Sequence, residues 1–243
     1  MNPFPNQTST YLAVRYSLEF VVVVLGITVS FWFNEWNEHQ QELTYQAKDA
    51  QDLLQDLRSD EVRLDKVAQD TKSGLNNTAR IKENHKQLQQ GELPYVSFAD
   101  SLIQLGLPYN WRTFFMNDGT YKTLLNNGRL QNFPSDLEDA IKGYYEYVSK
   151  RVRDNNATVD NVSLNYVMTH HPMCLLFEDK EERRQFMRNP RIQDQYESIG
   201  FYTGTIAFRH RIWVHGSQIA QYETIRDRVD SMLVEFLADL PAP

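Results

Sequence analysis

The chain has 243 residues, of which 23% are charged, a net charge of −7 and a mean hydropathy of −0.56. An acidic chain of this kind does not neutralise phosphates or adhere to anionic lipid heads, so nucleic acid is not expected as a partner. Cys174 is the single cysteine, which excludes an intramolecular disulfide and fits either side of a membrane.

The first element stands apart from that polar average. Phe20 to Phe33 reads FVVVVLGITVSFWF, an unbroken apolar run with Tyr11, Tyr16, Trp32 and Trp36 at its edges. The run alone is shorter than the ~20 residues that span a bilayer core, but Leu12 to Trp36 reaches that length. Arg15 can snorkel to one interface, with Tyr16 beside it, and Trp32 and Trp36 suit the other. The run ends in Phe31-Trp32-Phe33 without an A-x-A-like site, so an uncleaved anchor is expected rather than a signal peptide. Four consecutive valines argue against a buried helix of a water-soluble core.

Arg15 precedes the span, whereas Glu35, Glu38 and Glu42 come before the first basic residue after it, Lys48. This bias puts the N-terminus in the cytoplasm and the large domain outside, which in a Gram-negative cell is the periplasm. The expected organisation is residues 1–39 as cytoplasmic tail and transmembrane anchor and residues 40–243 as a periplasmic helical domain. The expected location is single-pass in the inner (cytoplasmic) membrane.

Glu19 is an ionisable group within the span and needs a partner. Arg15 lies one turn earlier, at pairing distance along a helix. Glu19, Gly26, Ser30 and Asn34 also share one helical face. Small and polar residues on one face favour contact with another membrane helix, so these four are the candidate membrane contact.

Beyond the anchor, Leu43, Ala47, Ala50, Leu54, Leu57, Leu64, Ala68, Thr71, Leu75 and Thr78 continue a 3–4 spacing that Glu61 interrupts. With no proline between Pro5 and Pro94, one helix is expected from about Thr10 to about Gln89, with Gly74 its weak point. Glu61 and Lys82 on the stripe favour an intramolecular bundle over a coiled coil between copies. Ser97 is expected to cap a short helix over Phe98–Leu105, ended by Gly106 and Pro108. A second should cover Thr120 to Asn127, closed by Gly128. Pro134-Ser135-Asp136 should start a third that runs towards Met168 and stops at His171-Pro172. Asp179 to Met187 reads as a short charged helix. A long helix is expected from Ile192 to Leu237, with Ile199, Ile206, Ile212, Ile219, Ile225, Val229 and Leu233 as its apolar members and breaks at Gly200, Gly204 or Gly216. No stretch alternates with period two. The expected class is all-α: a transmembrane helix continuing into a long helix, and an extramembrane bundle of about three long helices with short ones across one end.

Motifs that carry chemistry are not found. His170, His171 and Cys174 are close in sequence, but His210 and His215 fall on different faces of a helix, and four well-placed ligands are needed for structural zinc. Nucleotide, nucleophile-elbow and zinc-protease motifs do not occur. Cys174, between Met173 and Leu175, reads as a buried thiol. Neither an enzyme, nor a cofactor, nor a metal is expected. Tyr109, Trp111, Phe114 and Phe115 cluster, with Tyr144 on the next helix. They read as a bundle-end core, or alternatively as a pocket or docking surface.

Two stretches carry a resemblance. Glu19, Gly26, Asn34, Trp36, Asn37 and Glu38 give an early Glu, a central Gly and an Asn-x-Trp-Asn-Glu exit. Tyr121, Leu124, Gly128, Leu130, Leu137, Tyr144 and Tyr145 give a Tyr, a Leu, Gly-x-Leu and then a helix ending in paired Tyr. Together these resemble a large uncharacterised bacterial family of single-span membrane proteins with a periplasmic helical domain. Phe31-Trp32-Phe33 departs from it, standing where smaller aliphatics are usual. The resemblance implies architecture and no activity. The expected function is a non-enzymatic, membrane-anchored interaction or scaffold protein, an accessory or structural subunit of a larger membrane complex or a homo-oligomer. Its partners would be membrane lipid and other membrane subunits or copies of itself. The alternative is a periplasmic ligand-sensing helical bundle that signals through a partner, since about fifteen cytoplasmic residues carry no output domain.

Overall fold

The computed structural model describes residues 6–241, with side chains from Ala13 onward, so Tyr11 lies outside the described side chains. Among the described residues every regular element is helical. They are α1 (Asn6–Gln89), α2 (Tyr95–Leu105), α3 (Gly119–Asn126), a 3-10 turn (Arg129–Asn132), α4 (Ser135–Lys142), a π-helical stretch (Gly143–Val148), α5 (Ser149–His170), α6 (Met173–Leu176), α7 (Lys180–Met187), α8 (Pro190–Glu197) and α9 (Ile199–Asp239). The chain divides into two compact units, Met1–Gln51 with Phe236–Pro243, and Asp52–Glu235.

The larger unit is a helical bundle built on a heptad seam. On α1, whose buried positions also include Asp49, Ala50 and Leu54, the seam runs through Leu53, Leu57, Asp60, Leu64, Val67, Thr71, Gly74, Thr78, Ile81 and His85, alternating steps of four and three. The same alternation runs through α9 at Phe201, Thr205, Phe208, Ile212, His215, Ile219, Tyr222, Arg226, Val229 and Leu233. A 3–4 rhythm keeps one stripe of each helix facing its neighbours at a shallow crossing angle. The expected stripe on α1 is corrected in detail: Glu61 and Lys82 are off the seam and exposed, and the polar residue inside it is Asp60. On α9, Ile199 and Ile206 are exposed, and the seam positions near them are held by Phe201, Thr205 and Phe208.

Three glycines mark close approaches. A Cβ on Gly74 would meet the Tyr109 ring at 2.6 Å, one on Gly204 the His170 ring at 2.6 Å and one on Gly216 Thr71 Cγ2 at 2.7 Å. Gly204 and Gly216 do not break their helix. The break falls at Ser198, extended at φ −68° and ψ 153°, whose Oγ accepts from Phe201 N at 3.1 Å and donates to Gln195 O at 2.6 Å. The hydroxyl serves one helix end on each side, so α8 and α9 are separate where the sequence pattern predicts a single helix.

The other boundaries move by a few residues. α2 begins at Tyr95 after the extended Pro94, which puts Ser97 inside the first turn instead of at the cap. Gly106 ends it at φ +67° and Gly128 follows α3 at φ +69°, the left-handed region that glycine enters freely. α4, the π-helical stretch and α5 stay helical throughout and end at His171-Pro172. Asp179 caps α7, its Oδ1 accepting from the backbone of Glu181 and Glu182 at 2.7 and 3.1 Å.

Candidate functional site

Two features stand out: an uncovered apolar segment on α1 and a pinned, non-helical strap in the larger unit. Over the first, mean hydropathy reaches 1.8 in an 18-residue window and none of that window is buried. This helix is long and apolar enough to cross a membrane. Phe20 and Phe31 are 70% and 71% exposed, and Tyr16, Trp32 and Trp36 are exposed with them.

Polar groups in this segment are answered within the helix. Arg15 Nε donates to Glu19 Oε1 at 3.0 Å, Ser30 Oγ to Gly26 O at 2.8 Å, Thr28 Oγ1 to Val24 O at 2.9 Å and Asn34 Nδ2 to Glu38 Oε1 at 3.2 Å. Such internal bonds remove unpaired donors that hydrocarbon would penalise. Glu19, Gly26, Ser30 and Asn34 all sit on this exposed stretch, and a Cβ at Gly26 would meet nothing within 4 Å.

The strap is the segment 107–118 between α2 and α3. With no strand to pair with, its backbone groups need other partners. Side chains of the helices supply them. Just before it, His171 Nε2 lies 3.2 Å from Gly106 O. Asn77 Nδ2 donates to Pro108 O at 3.1 Å, His215 Nε2 lies 3.3 Å from Arg112 O, and Asn156 Nδ2 donates to Phe114 O at 2.6 Å. Arg63 Nη1 reaches Phe115 O at 3.0 Å, and Arg112 Nε pairs with Asp70 Oδ2 at 2.8 Å. At the far end Asp60 Oδ1 accepts from Asn117 N at 2.8 Å and Asp56 Oδ2 from Thr120 N at 3.1 Å, with Asp56 Oδ1 taking Asn117 Nδ2 at 2.7 Å. The strap therefore runs antiparallel to α1, from Asn77 back to Asp56. Trp111, at φ +36°, is strained.

Three of these anchors, Asp60, His171 and His215, are titratable groups moved from their ordinary values by burial. Burial pushes the Asp60 carboxyl up to about 6; the bonds from Asn117 and Tyr144 and the Arg63 charge oppose that rise, and Asp56 adds to it. The Tyr144 hydroxyl donates to Asp60 Oδ2 at 2.9 Å. Burial lowers His171 and His215 to about 4, with the Arg183 and Arg211 charges acting the same way. Asn155 Nδ2 lies 2.7 Å from His215 Nδ1, which makes Nδ1 the acceptor and Nε2 the protonated nitrogen facing Arg112 O. Arg211 Nη2 then donates to Asn155 Oδ1 at 2.5 Å and fixes the amide. The Cys174 thiol is raised to about 11 by burial. Among the described residues no three His, Cys, Asp or Glu side chains are gathered to hold a metal ion.

The five aromatics singled out in the sequence are divided. Tyr109, Phe114 and Tyr144 are buried; Tyr109 packs in a core with Val159, Tyr166, Val167, Phe208 and Ile212. Trp111 is half-buried against that core. Phe115 is the exposed member, at 69%, on a groove shared with Val152 and Ala157. No motif in the sequence marks Asp60, Asp56, Asn155 and Asn156. For Asp60, Asn155 and Asn156 the one signal is a polar residue at a position the helix buries; Asp56, half-buried beside the seam, carries none.

A protein family described as "Family of unknown function (DUF6090)" matches residues 19–173. The residues that carry the resemblance, Glu19 to Glu38 and Tyr121 to Tyr145, lie inside that match. No curated protein and no solved structure matches the chain.

Proposed function

The chain belongs to this family of unknown function, and from its geometry we propose that it is a membrane-anchored, non-enzymatic interaction protein. It serves as an accessory or structural subunit of a membrane complex or as a homo-oligomer. The observation that carries this is the uncovered apolar stretch of α1. Ten Phe, Val, Leu and Ile residues lie between Phe20 and Phe33, and none of the described ones is buried. At ~0.3–0.6 kcal/mol each, their insertion is favourable by roughly 3–6 kcal/mol, enough to offset one charged residue near the end of the span. Arg15 and Glu19 meet it as a pair.

Residues 1–39 are then tail and anchor, and 40–243 the extramembrane domain. Arg15 before the span and three glutamates after it support a cytoplasmic N-terminus and a periplasmic domain at the inner membrane of a bacterial cell. The face of Glu19, Gly26, Ser30 and Asn34 is the contact with other membrane helices, because small residues let backbones approach. The interaction reading is favoured over an enzyme by how the titratable groups are used: Asp60, His171 and His215 are sealed and bonded to backbone in or beside the strap.

The test is Gly26→Leu combined with Glu19→Gln, followed by mild-detergent extraction and native mass measurement. The double variant should lose its higher-mass assembly or its co-purifying subunits while still fractionating with membranes. Unchanged assembly removes this face as the contact.

A further inference from the structure

A pocket of about 190 Å³ lies between α2 and the α7–α8 pair, apart from both the strap and the apolar segment. On α2, Val96, Ala99 and Ile103 line it at steps of three and four, and on the other side Arg184 and Met187 of α7 line it with Arg188 at that helix's C-cap. Ala99, Ile103 and Met187 are buried and form an apolar floor. The polar groups at the rim are mostly engaged. Arg184 Nε donates to Asp100 Oδ1 and its Nη1 to Glu181 Oε2, both at 3.2 Å. Tyr95 donates its hydroxyl to Met187 O at 2.8 Å, and Gln193 Nε2 donates to Glu197 Oε1 at 2.9 Å. Arg184 is shared between the Asp100 and Glu181 carboxylates, and among the described residues Arg188 is the lining cation without an ion pair. An apolar floor beside a guanidinium with no carboxylate bonded to it is complementary to an amphiphile with one negative charge. The volume is below the ~300–1,000 Å³ of drug-sized sites, so the ligand has a short chain or one ring. α7 and α8 lie beyond residues 19–173, so half of this pocket comes from outside the family match.

We propose that this pocket binds a small organic monoanion of the short-chain carboxylate class, with the carboxylate on Arg188 and the apolar body over Ala99, Ile103 and Met187. This goes beyond the proposed function and does not depend on it.

The experiment places the full chain, labelled with ¹³C-methyl methionine, in nanodiscs and titrates three probes: hexanoate, its neutral isostere hexanamide, and inorganic phosphate. Hexanoate should shift the Met187 methyl resonance saturably. Hexanamide should bind at least about tenfold more weakly, because it lacks the charge-assisted bond, and phosphate should leave Met187 unmoved. Arg188→Gln should weaken hexanoate about tenfold. Val96→Glu, at a 68% exposed position where folding tolerates it, should do the same by adding a repelling charge at the mouth. The proposal is overturned if Met187 does not respond to hexanoate, if hexanamide or phosphate matches hexanoate, or if either variant binds hexanoate as the native chain does.

Discussion

Replacing Asp60 with Asn tests whether the buried seam carboxylate is held against its ionisation. Asp60 is fully buried, and its carboxyl titrates near about 6 in the folded chain against 3.8 as a free side chain. A carboxyl raised on folding means that the folded state binds the proton more tightly. Its contribution is therefore fully present below pH 3.8 and is lost as pH rises through about 6. At ~1.4 kcal/mol for each tenfold change, the full loss is about 3 kcal/mol, of which about 2 kcal/mol falls between pH 4 and pH 7. The substituted amide would not titrate, could still accept from Asn117 N and could donate to the Tyr144 oxygen. Urea unfolding of the full chain and of Asp60→Asn in the same non-ionic detergent, followed by tryptophan fluorescence, gives the difference at each pH. The histidines titrate equally in both proteins and cancel. The variant should gain about 2 kcal/mol on the native chain from pH 4 to pH 7. A difference that stays flat refutes the reasoning. Asp60→Ala should instead destabilise at every pH, by ~1–3 kcal/mol for each donor left without an acceptor, Asn117 N and Tyr144 OH.

His171 and His215 act in the opposite direction. Both are held neutral and lowered to about 4, so their contribution is present above pH 6.5 and lost as pH falls towards 4, about 3 kcal/mol for each; His215→Gln should flatten part of that acid slope in the same unfolding series. Gly74→Ala should cost about 1–3 kcal/mol despite alanine's better helix propensity, because its Cβ would lie 2.6 Å from the buried Tyr109 ring. Gly143→Ala, in helical conformation with nothing within 4 Å of the new Cβ, should instead stabilise by about 0.5–1 kcal/mol, and thermal unfolding of the pair checks both signs.

How far this fold can be read from its sequence depends on where polar residues go. α1 is legible at its C-terminal end because nothing between Pro5 and Pro94 forbids a helix and the Gly91 turn follows Gln89. Its seam is only half legible. Asp60, Thr71, Thr78 and His85 occupy buried positions, so the apolar rhythm is diluted and the exposed Glu61 looks like its interruption. The same dilution on α9, by Thr205, His215, Tyr222 and Arg226, draws the stripe to the exposed Ile199 and Ile206. Part of the reason lies in the strap. An extended segment without strand partners must have its backbone groups answered by side chains, and two of those side chains, Asp60 and His215, belong to the seam. Residues 107–118 show no period that announces this, so Asn156, His215 and Asp60 become intelligible only once the strap is seen lying against them. Gly204 and Gly216 resemble helix breaks for a related reason: a close crossing and a break need the same residue, and only the neighbour at 2.6–2.7 Å tells them apart.

The central claim is that the uncovered segment of α1 anchors an interaction protein in the membrane. The most direct measurement is native mass after mild-detergent extraction from the host membrane, with every co-purifying chain identified. The account predicts that the chain is released only by detergent, and that it appears either at a multiple of 28.6 kDa or with stoichiometric foreign subunits. A chain recovered without detergent, or a lone 28.6 kDa chain in the detergent extract, would contradict it.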